Sequence, residues 1–401
     1  MSDAKAVIDN AVQYDVAHMR AEEYVDALPN ACVNLAVLDI PYFKVVDAGH
    51  EFDHQWETED QFIGWVREQC VRWQRVLAPN GSIYVFAKPQ PTQRGATMAS
   101  RIEAVMAEQF AILGQIVWRK EQARHKAADK ETLRAYFPQT ERIIFAEQYG
   151  ADSMAMGESQ YSAKCDELRG FIFEPLRAYL DGERERAGLT RRQVDEGLGN
   201  FMSGHYFSNV QWTLPTRENY EKMRVLFNSK RPPDVAAVTD PAGLLAKDHD
   251  FLKREHDILF REYEILRREY DDLRAQFEAL RRPFSVTADV PYTDVWDYPT
   301  VMFYEGKHPC EKPPEMARDI VLASSRPGDV VADFFAGSGR FLEAAVGHGR
   351  RALGCDMSEH WATVARGRCA AAATGNAYKP PPAPTHTKKA PPPSAQLGLF
   401  G

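Results

Sequence analysis

Two short stretches at opposite ends of the 401-residue chain carry residue types that could do chemistry together. The first is Ala36-Val37-Leu38-Asp39-Ile40-Pro41-Tyr42-Phe43, an apolar run ending in a carboxylate, a proline and an aromatic, with no turn glycine. Ligands of open α/β sheets bind beyond the carboxyl ends of parallel strands, so Asp39 to Tyr42 stand where a substrate would sit. An exocyclic base amine, as in adenine or cytosine, is a poor nucleophile because its lone pair is delocalised into the ring. A carboxylate and a main-chain carbonyl, each accepting one amino hydrogen, draw that nitrogen towards tetrahedral geometry and aim its lone pair at a sulfonium methyl. Asp39 supplies the carboxylate and Ile40 the carbonyl, Tyr42 offers a face for stacking, and Pro41 stiffens the turn. Neither a metal nor a covalent nucleophile is required.

The second stretch, Val330-Val331-Ala332-Asp333-Phe334-Phe335-Ala336-Gly337-Ser338-Gly339-Arg340, places two glycines after a strand and at the mouth of a helix. Such a loop lets backbone approach a ligand and aims helix N–H groups at polar oxygens. Asp356 ends the next strand 17 residues after Gly339, where it could accept hydrogen bonds from two ribose hydroxyls. The third glycine of a dinucleotide fingerprint is missing, since Arg340, Phe341 and Leu342 follow. That pattern disfavours NAD and favours an adenosine ligand without a pyrophosphate; S-adenosylmethionine (SAM) fits.

The elements that must hold these residues alternate along the chain. Residues 33–39 read as a buried strand, 59–78 as an amphipathic helix, 79–81 as a turn and 82–87 as a strand. A helix near 97–109 and strands near 111–118 and 141–147 complete a βαβ-type half. Residues 118–139 form a basic, aromatic-tipped stretch, read either as a solvated loop or as a phosphate-contacting one through Arg119, Lys120, Arg124 and Lys126. After Pro283 the α/β pattern resumes, with strand–turn–helix at 328–349 and again at 350–372.

Between these halves the pattern is helical. A Thr190…Gln193 capping box opens a short helix that Gly199 closes, and short helices are expected around 202–209 and 216–227. A small bundle or a helix-turn-helix gives the same pattern. Leu252, Leu259, Leu266, Leu273 and Leu280 then recur every seven residues, followed at four by His256, Tyr263, Tyr270 and Phe277. This is an a/d seam, so 245–282 is expected to be a coiled coil that pairs two copies, or a long helix laid against the body. Residues 376–395 are Pro-rich and are expected to form an extended linker.

Composition sets bounds. An apolar fraction of 44% and a charged fraction of 26% are those of a globular protein. No apolar run reaches the ~18 residues that cross a bilayer, and the N-terminus has no basic–apolar–small pattern, so neither a membrane span nor a signal peptide is expected. Six scattered cysteines without a C-x-x-C pair argue against a zinc site or a disulfide framework and fit a reducing cytoplasm. A net charge of −8 neither advertises nor excludes a polyanion partner.

Taken in order, Asp39-Ile40-Pro41-Tyr42, the insert at 150–282, His308-Pro309-Cys310-Glu311-Lys312-Pro313 and Phe334 to Arg340 resemble the SAM-dependent amino-methyltransferases of DNA in the β arrangement. That group carries a D-P-P-Y-type motif, a target-recognition region, an H-P-x-x-K-P element and an F-x-G-x-G loop in this order. Ile40 stands where the family usually has proline, though its carbonyl still serves, and Arg340 stands where threonine is common.

The resemblance implies a Rossmann-like α/β methyltransferase fold with circularly permuted motifs. Its parts would be a catalytic half (1–150), a helical target-recognition insert (151–240), a coiled coil (241–282), a SAM-binding half (283–375) and a tail (376–401). It puts SAM on Phe335, Gly337, Ser338, Gly339 and Asp356, with His308 and Lys312 bordering the pocket, and implies a flipped-out base in duplex DNA. Arg191, Arg192, His205, Tyr206, Asn209 and Gln211 become the expected DNA contacts of the insert. Aspartate at the first motif position resembles adenine-N6 enzymes more than cytosine-N4 enzymes, which commonly carry serine. A cytosine-N4 enzyme and a catalytically silent DNA-binding module are the competing readings.

Finally, Gln396-Leu397-Gly398-Leu399-Phe400 resembles the sliding-clamp-binding pentapeptide of bacteria, Q-L-x-L-F. It implies a clamp partner and a cytoplasmic setting in a bacterial or phage-infected cell, with the linker supplying reach.

Overall fold

The computed structural model describes residues 3–44, 53–93, 95–120, 139–148, 161–209, 211–229, 263–286, 290–378 and 381. They fall into two units, Met1–Ser159 together with Arg282–Gly401, and Gln160–Arg281.

The first unit is a three-layer α/β/α sandwich. Its strands are β1 (Tyr14–His18), β2 (Val33–Leu38), β3 (Leu77–Ala87), β4 (Ala111–Arg119), β5 (Thr140–Glu147), β6 (Val295–Trp296), β7 (Val330–Asp333) and β8 (Arg351–Asp356). They form one sheet in the order β1-β8-β7-β2-β3-β5-β4-β6. The five strands from β1 to β3 run parallel, and β5 lies antiparallel between β3 and β4. From β7 the chain winds outward to β8, whereas from β2 it winds the other way to β3. The order therefore reverses between β7 and β2, which opens a crevice at their carboxyl ends. This reversal makes neighbours of two strands from opposite ends of the chain, with Leu35 beside Val331 and Ala36 beside Ala332.

Alternation along the strands builds both faces. Val33, Ala36 and Leu38 of β2 point into one core while Leu35 and Val37 point into the other. Helices α2 (Ala21–Ala27), α3 (Glu59–Val76) and α4 (Met98–Met106) cover the first face, and α1 (Ala4–Ile8) packs beside them. Helix α3 starts at a capping box, with Thr58 Oγ1 accepting from Gln61 N at 3.2 Å and Gln61 Oε1 accepting from Thr58 N at 3.1 Å. Acidic Glu59 and Asp60 in its first turn suit the helix dipole, and Phe62, Ile63, Val66, Cys70 and Trp73 give it a buried stripe. The expected turn at 79–81 is instead part of β3. The strand continues through it by a bulge, its pairing with β2 jumping from Val33–Leu77 to Leu35–Ser82.

The second unit contains α5 (Tyr161–Arg186), α6 (Arg191–Leu198), α7 (Ser203–Phe207), α8 (Arg217–Ser229) and α9 (Tyr263–Leu280). The Thr190–Gln193 box caps α6, and Gly199 closes it in the left-handed region at φ 71°. Asp195 then accepts from Ser203 N at 2.9 Å and Ser203 Oγ at 2.8 Å, which fixes the corner into α7.

Two expectations are corrected here. The heptad seam, from Tyr263 through Leu266, Tyr270 and Leu273 to Phe277, packs with Phe173, Leu176, Trp212, Tyr220 and Phe227 in the core of its own unit. Leu266 is fully buried, and Tyr263 Oη donates to Pro215 O at 3.1 Å. Aromatic residues at one seam position fill a wide intramolecular groove rather than a narrow two-helix interface, so 263–277 offers no free seam to a second copy; the Leu280 side chain lies outside what is described. Leu252, His256 and Leu259 lie outside the described residues. Tyr206, expected to read base edges, is a core residue 1% exposed, with its hydroxyl accepting from Asn219 Nδ2 at 2.8 Å.

The three remaining helices, α10 (Pro314–Ser324), α11 (Arg340–Gly347) and α12 (Glu359–Ala373), cover the second face of the sheet. Among the described residues no helix is long and apolar enough to cross a membrane.

Candidate active site

At the crevice between β2 and β7 lies a cavity of about 530 Å³. It is lined by Asp39, Ile40, Pro41 and Tyr42 from beyond β2, and by Phe335, Gly337 and Ser338 from beyond β7. Asp356 at the end of β8, and His308 and Lys312 from the segment before α10, complete the set. The sheet reversal thus brings both sequence motifs to one chamber. Gly339 is the exception among the expected cofactor residues: it does not line the cavity. It holds φ +77°, and a Cβ there would lie 2.6 Å from the Ala365 Cβ, so its role is the close approach of α11 to α12. Gly337, at φ +47°, passes under the His308 ring, which a Cβ would meet at 3.1 Å.

The Asp39 end of the cavity is a cluster of coupled charges. Lys312 Nζ lies 2.5 Å from Asp39 Oδ2 and 3.6 Å from Glu141 Oε1. Tyr42 Oη donates to Asp39 Oδ1 at 2.8 Å and is also hydrogen-bonded to Glu141. Glu141, 2% exposed at the start of β5, accepts a further contact from Lys120 Nζ at 2.5 Å. Burial opposes charge on Glu141, but Lys312 and Lys120 outweigh it and hold its carboxyl down at about 2. Lys312 is desolvated too, yet Asp39 and Glu141 keep it protonated by raising its pKa. Asp39 is pushed above the usual carboxylate range, first by burial, with Lys312 pulling down and the Glu141 charge pushing up. Tyr42 is raised well above an ordinary phenol, mainly by burial and then by the two carboxylates, so it stays a donor. Asp53 Oδ1 accepts from Tyr42 N at 2.7 Å and tethers the tetrapeptide from behind.

The loop end is ordered by Asp356. Its Oδ2 accepts from Gly337 N and its Oδ1 from Ser358 N, each at 2.8 Å. A carboxylate has about four acceptor sites, so both oxygens retain capacity for a ligand. Beside it, Trp361 of α12 packs edge-on to the His308 ring with centroids 4.6 Å apart. Below, Glu311 accepts from Arg340 Nη2 at 2.6 Å and from Tyr304 Oη at 2.7 Å, while Arg368 lies 3.6 Å away. Arg340, at the position where threonine is common, is thereby the partner of a buried glutamate in the H-P-C-E-K-P element.

The other expected contacts are scattered. Lys120 belongs to the Glu141 cluster, and Arg119 makes a two-pronged contact with Asp297 at 2.5 Å. In the helical unit Arg191, Arg192, Asn209 and Gln211 are exposed, while His205 is half-buried. Arg192 pairs with Glu196 at 3.0 Å, and Arg191 Nη2 donates to Phe207 O at 3.1 Å. Arg124, Lys126, Gln396, Leu397, Leu399 and Phe400 lie outside the described residues.

Glu141, Asp53, Glu311 and Trp361 are site residues that sequence reasoning missed. Glu141 lies at the start of a strand that also carries Thr140, Arg142 and Glu147 around its apolar centre, an ordinary place for a charge. Only the antiparallel placement of β5 beside β3 reveals that it faces Tyr42. Among the described residues no group of three or more His, Cys, Asp or Glu is arranged to hold a metal ion.

The chain is 40% identical over 72 residues to the DNA adenine methyltransferase YhdJ of Escherichia coli K12, a stretch covering 17% of this chain and 24% of the relative. It is 40% identical over 65 residues to the Type II methyltransferase M2.DpnII of Streptococcus pneumoniae, covering 16% of this chain and 24% of that one. The matches therefore span about a quarter of those relatives' length. The M1.HpyAVI–SAM complex aligns over 88% of this chain and 99% of its own, at 13% identity and a TM-score of 0.40. The model of the N6/N4 DNA methylase family matches residues 33–366, most of the chain and both linings of the cavity, and the chain belongs to that family.

Proposed function

We propose that the protein transfers a methyl group from SAM to the N6 amino group of a flipped-out adenine in duplex DNA. The observation that carries the reading is the meeting of Asp39 and the Gly337–Asp356 loop in one cavity. Its size lies within the ~300–1,000 Å³ range of small-molecule sites. Six carboxyl-bearing residues (Glu22, Asp39, Asp53, Glu311, Asp333 and Asp356) line it against four cationic ones (Arg20, Lys307, Lys312 and Arg340). Asp39 and Glu311 are paired with Lys312 and Arg340, and burial pushes Asp333 well above the usual carboxylate range, so the count is no charge excess; Asp356 keeps acceptor capacity for the donor.

Gly337, Ser338 and Asp356 would hold the donor's nucleoside, with His308 and Trp361 over it. When bound, SAM supplies an electrophilic methyl group on a positively charged sulfur. The chain's own residues do the rest. Lys312 and Tyr42 each occupy one acceptor site of Asp39 and fix its plane, leaving lone pairs for an amino hydrogen of the incoming base. The Ile40 carbonyl is the second acceptor, held in place by the buried Ile40 side chain and by the Asp53 tether on Tyr42. Tyr42, anchored through its hydroxyl, presents its ring as the stacking face. After transfer the amino nitrogen carries one proton too many, which leaves along the hydrogen bond to Asp39. Burial makes Asp39 a better acceptor for it.

Adenine is favoured by the aspartate at position 39 and by the adenine specificity in the name of one relative. The exposed Arg191, Arg192, Asn209 and Gln211 are the proposed DNA contacts of the helical unit, and the Gln396–Phe400 tail is the proposed tether to a sliding clamp. The test is to incubate the protein with SAM and mixed-sequence duplex DNA and digest the product to nucleosides. N6-methyladenine is the expected product. N4-methylcytosine would overturn the choice of base, and no methylated nucleoside on any DNA would overturn the reading.

A further inference from the structure

The segment between β6 and His308 contains two large apolar side chains that the fold leaves in solvent: Met302, 84% exposed, and Phe303, 90% exposed. An isolated exposed apolar residue needs no explanation, but this pair stands on a braced loop. On one side Trp118 Nε1 donates to Tyr298 O at 2.8 Å, and Tyr298 Oη donates to Asp319 Oδ2 at 2.6 Å. On the other, Tyr304 Oη donates to Glu311 Oε2 at 2.7 Å and accepts from Arg368 Nη2 at 2.9 Å. Residues 299–303 are therefore held at both ends by hydrogen-bonded tyrosine anchors, Tyr298 buried and Tyr304 half-buried, and the apolar pair sits immediately before the second one. That anchor's partner, Glu311, and His308, five residues after Phe303, both line the cavity.

We propose that Met302 and Phe303 are a wedge that enters the DNA base stack where the target base leaves it. The inference rests on the methyl-transfer reading above, because only a base that must be extruded leaves a gap to fill. Apolar side chains inserted between base steps stabilise the opened duplex. A wedge works only if its backbone resists being pushed back, and the Tyr298 and Tyr304 anchors supply that resistance. A second protein copy is a poorer occupant, since two side chains fall far short of the ~800 Å² per partner that a stable interface buries.

The test uses the full chain and a duplex carrying its mapped target, paired normally or placed opposite a mismatched partner base. Wild type is compared with a Met302→Ala/Phe303→Ala variant and with Phe303→Trp. The double variant is expected to lose about tenfold in kcat/KM on the matched duplex and to recover to within about twofold of wild type on the mismatched one, whose target is already loosened. Donor affinity should be unchanged, and Phe303→Trp should keep activity. Equal losses on both duplexes, no loss, a change confined to donor affinity, or a change of oligomeric state would each overturn the wedge. If wild type methylates neither duplex, the methyl-transfer reading fails first and the wedge falls with it.

Discussion

The crevice beyond β2 and the corner between α6 and α7 carry similar residues, each mixing aromatic, acidic and basic side chains over a short stretch of chain. In the crevice, every member of Asp39 to Tyr42 lines the cavity. At the corner, Tyr206 turns inward to the core and Asp195 is spent on capping Ser203, leaving Arg191, Arg192 and Asn209 outside. The difference lies in what positions the side chains. A residue at the carboxyl end of a parallel strand has its location set by sheet topology, whatever its neighbours. A residue on a short helix has its location set by which face the bundle buries, and α7 buries Ser203, Tyr206 and Phe207 out of five residues.

The largest effect that would sharpen this contrast is expected at Gly339. Gly339→Val forces a branched side chain to positive φ and against Ala365, so donor binding should fall more than ~100-fold by calorimetry, with the helical unit still folded. Wild-type donor affinity in this variant would mean that α11 and α12 need no such close approach.

Leu266→Ala tests the other region. The side chain is fully buried in the core of the helical unit, so truncation should cost about 2–5 kcal/mol in chemical denaturation. The sedimentation behaviour should stay that of wild type. A change of oligomeric state with little loss of stability would restore the seam to a role between copies.

A smaller and more local effect is expected from Glu141→Gln, on the order of tenfold in kcat, or ~1.4 kcal/mol. Its sign with pH is the sharper readout. In the proposed reaction the ionised Asp39 accepts an amino hydrogen, and its pKa is raised, so activity should fall on acidification above the pH at which an ordinary aspartate titrates. The Glu141 charge contributes to that rise, so Gln at 141 should move the acid limb to lower pH. An unmoved or upward-shifted limb would separate Glu141 from the catalytic carboxylate.

Least disruptive is Arg192→Ala, at an 89% exposed side chain whose ion pair with Glu196 contributes little. Stability should change by less than ~0.5 kcal/mol, while the salt slope of DNA binding should drop by about 1 if the guanidinium meets a phosphate. An unchanged slope would remove α6 from the DNA-binding surface.

These contrasts explain what was legible in the chain beforehand. The strand β2, the loop after β7 and Asp356 announce themselves because each breaks a hydrophobic run at a place where sheet geometry requires a ligand-facing tip. The α6 capping box and its Gly199 terminus are local signals and need no tertiary context. Glu141 was not legible, since its meaning depends on β5 inserting antiparallel beside β3. Nor was the fate of the heptad seam, because a period of seven specifies an apolar stripe but not its partner. Phe173, Trp212 and Phe227 supply that partner within the same unit.

In the proposed reaction Asp39 acts on the transferred methyl's acceptor and not on the donor. This is tested by measuring donor affinity and single-turnover methyl transfer side by side for wild type, Asp39→Ala and Asp39→Asn. Donor dissociation constants are expected within about twofold of wild type, and transfer is expected to fall by roughly a thousandfold or more in both variants. Transfer retained within about tenfold in either variant, or donor binding lost together with transfer, would contradict it.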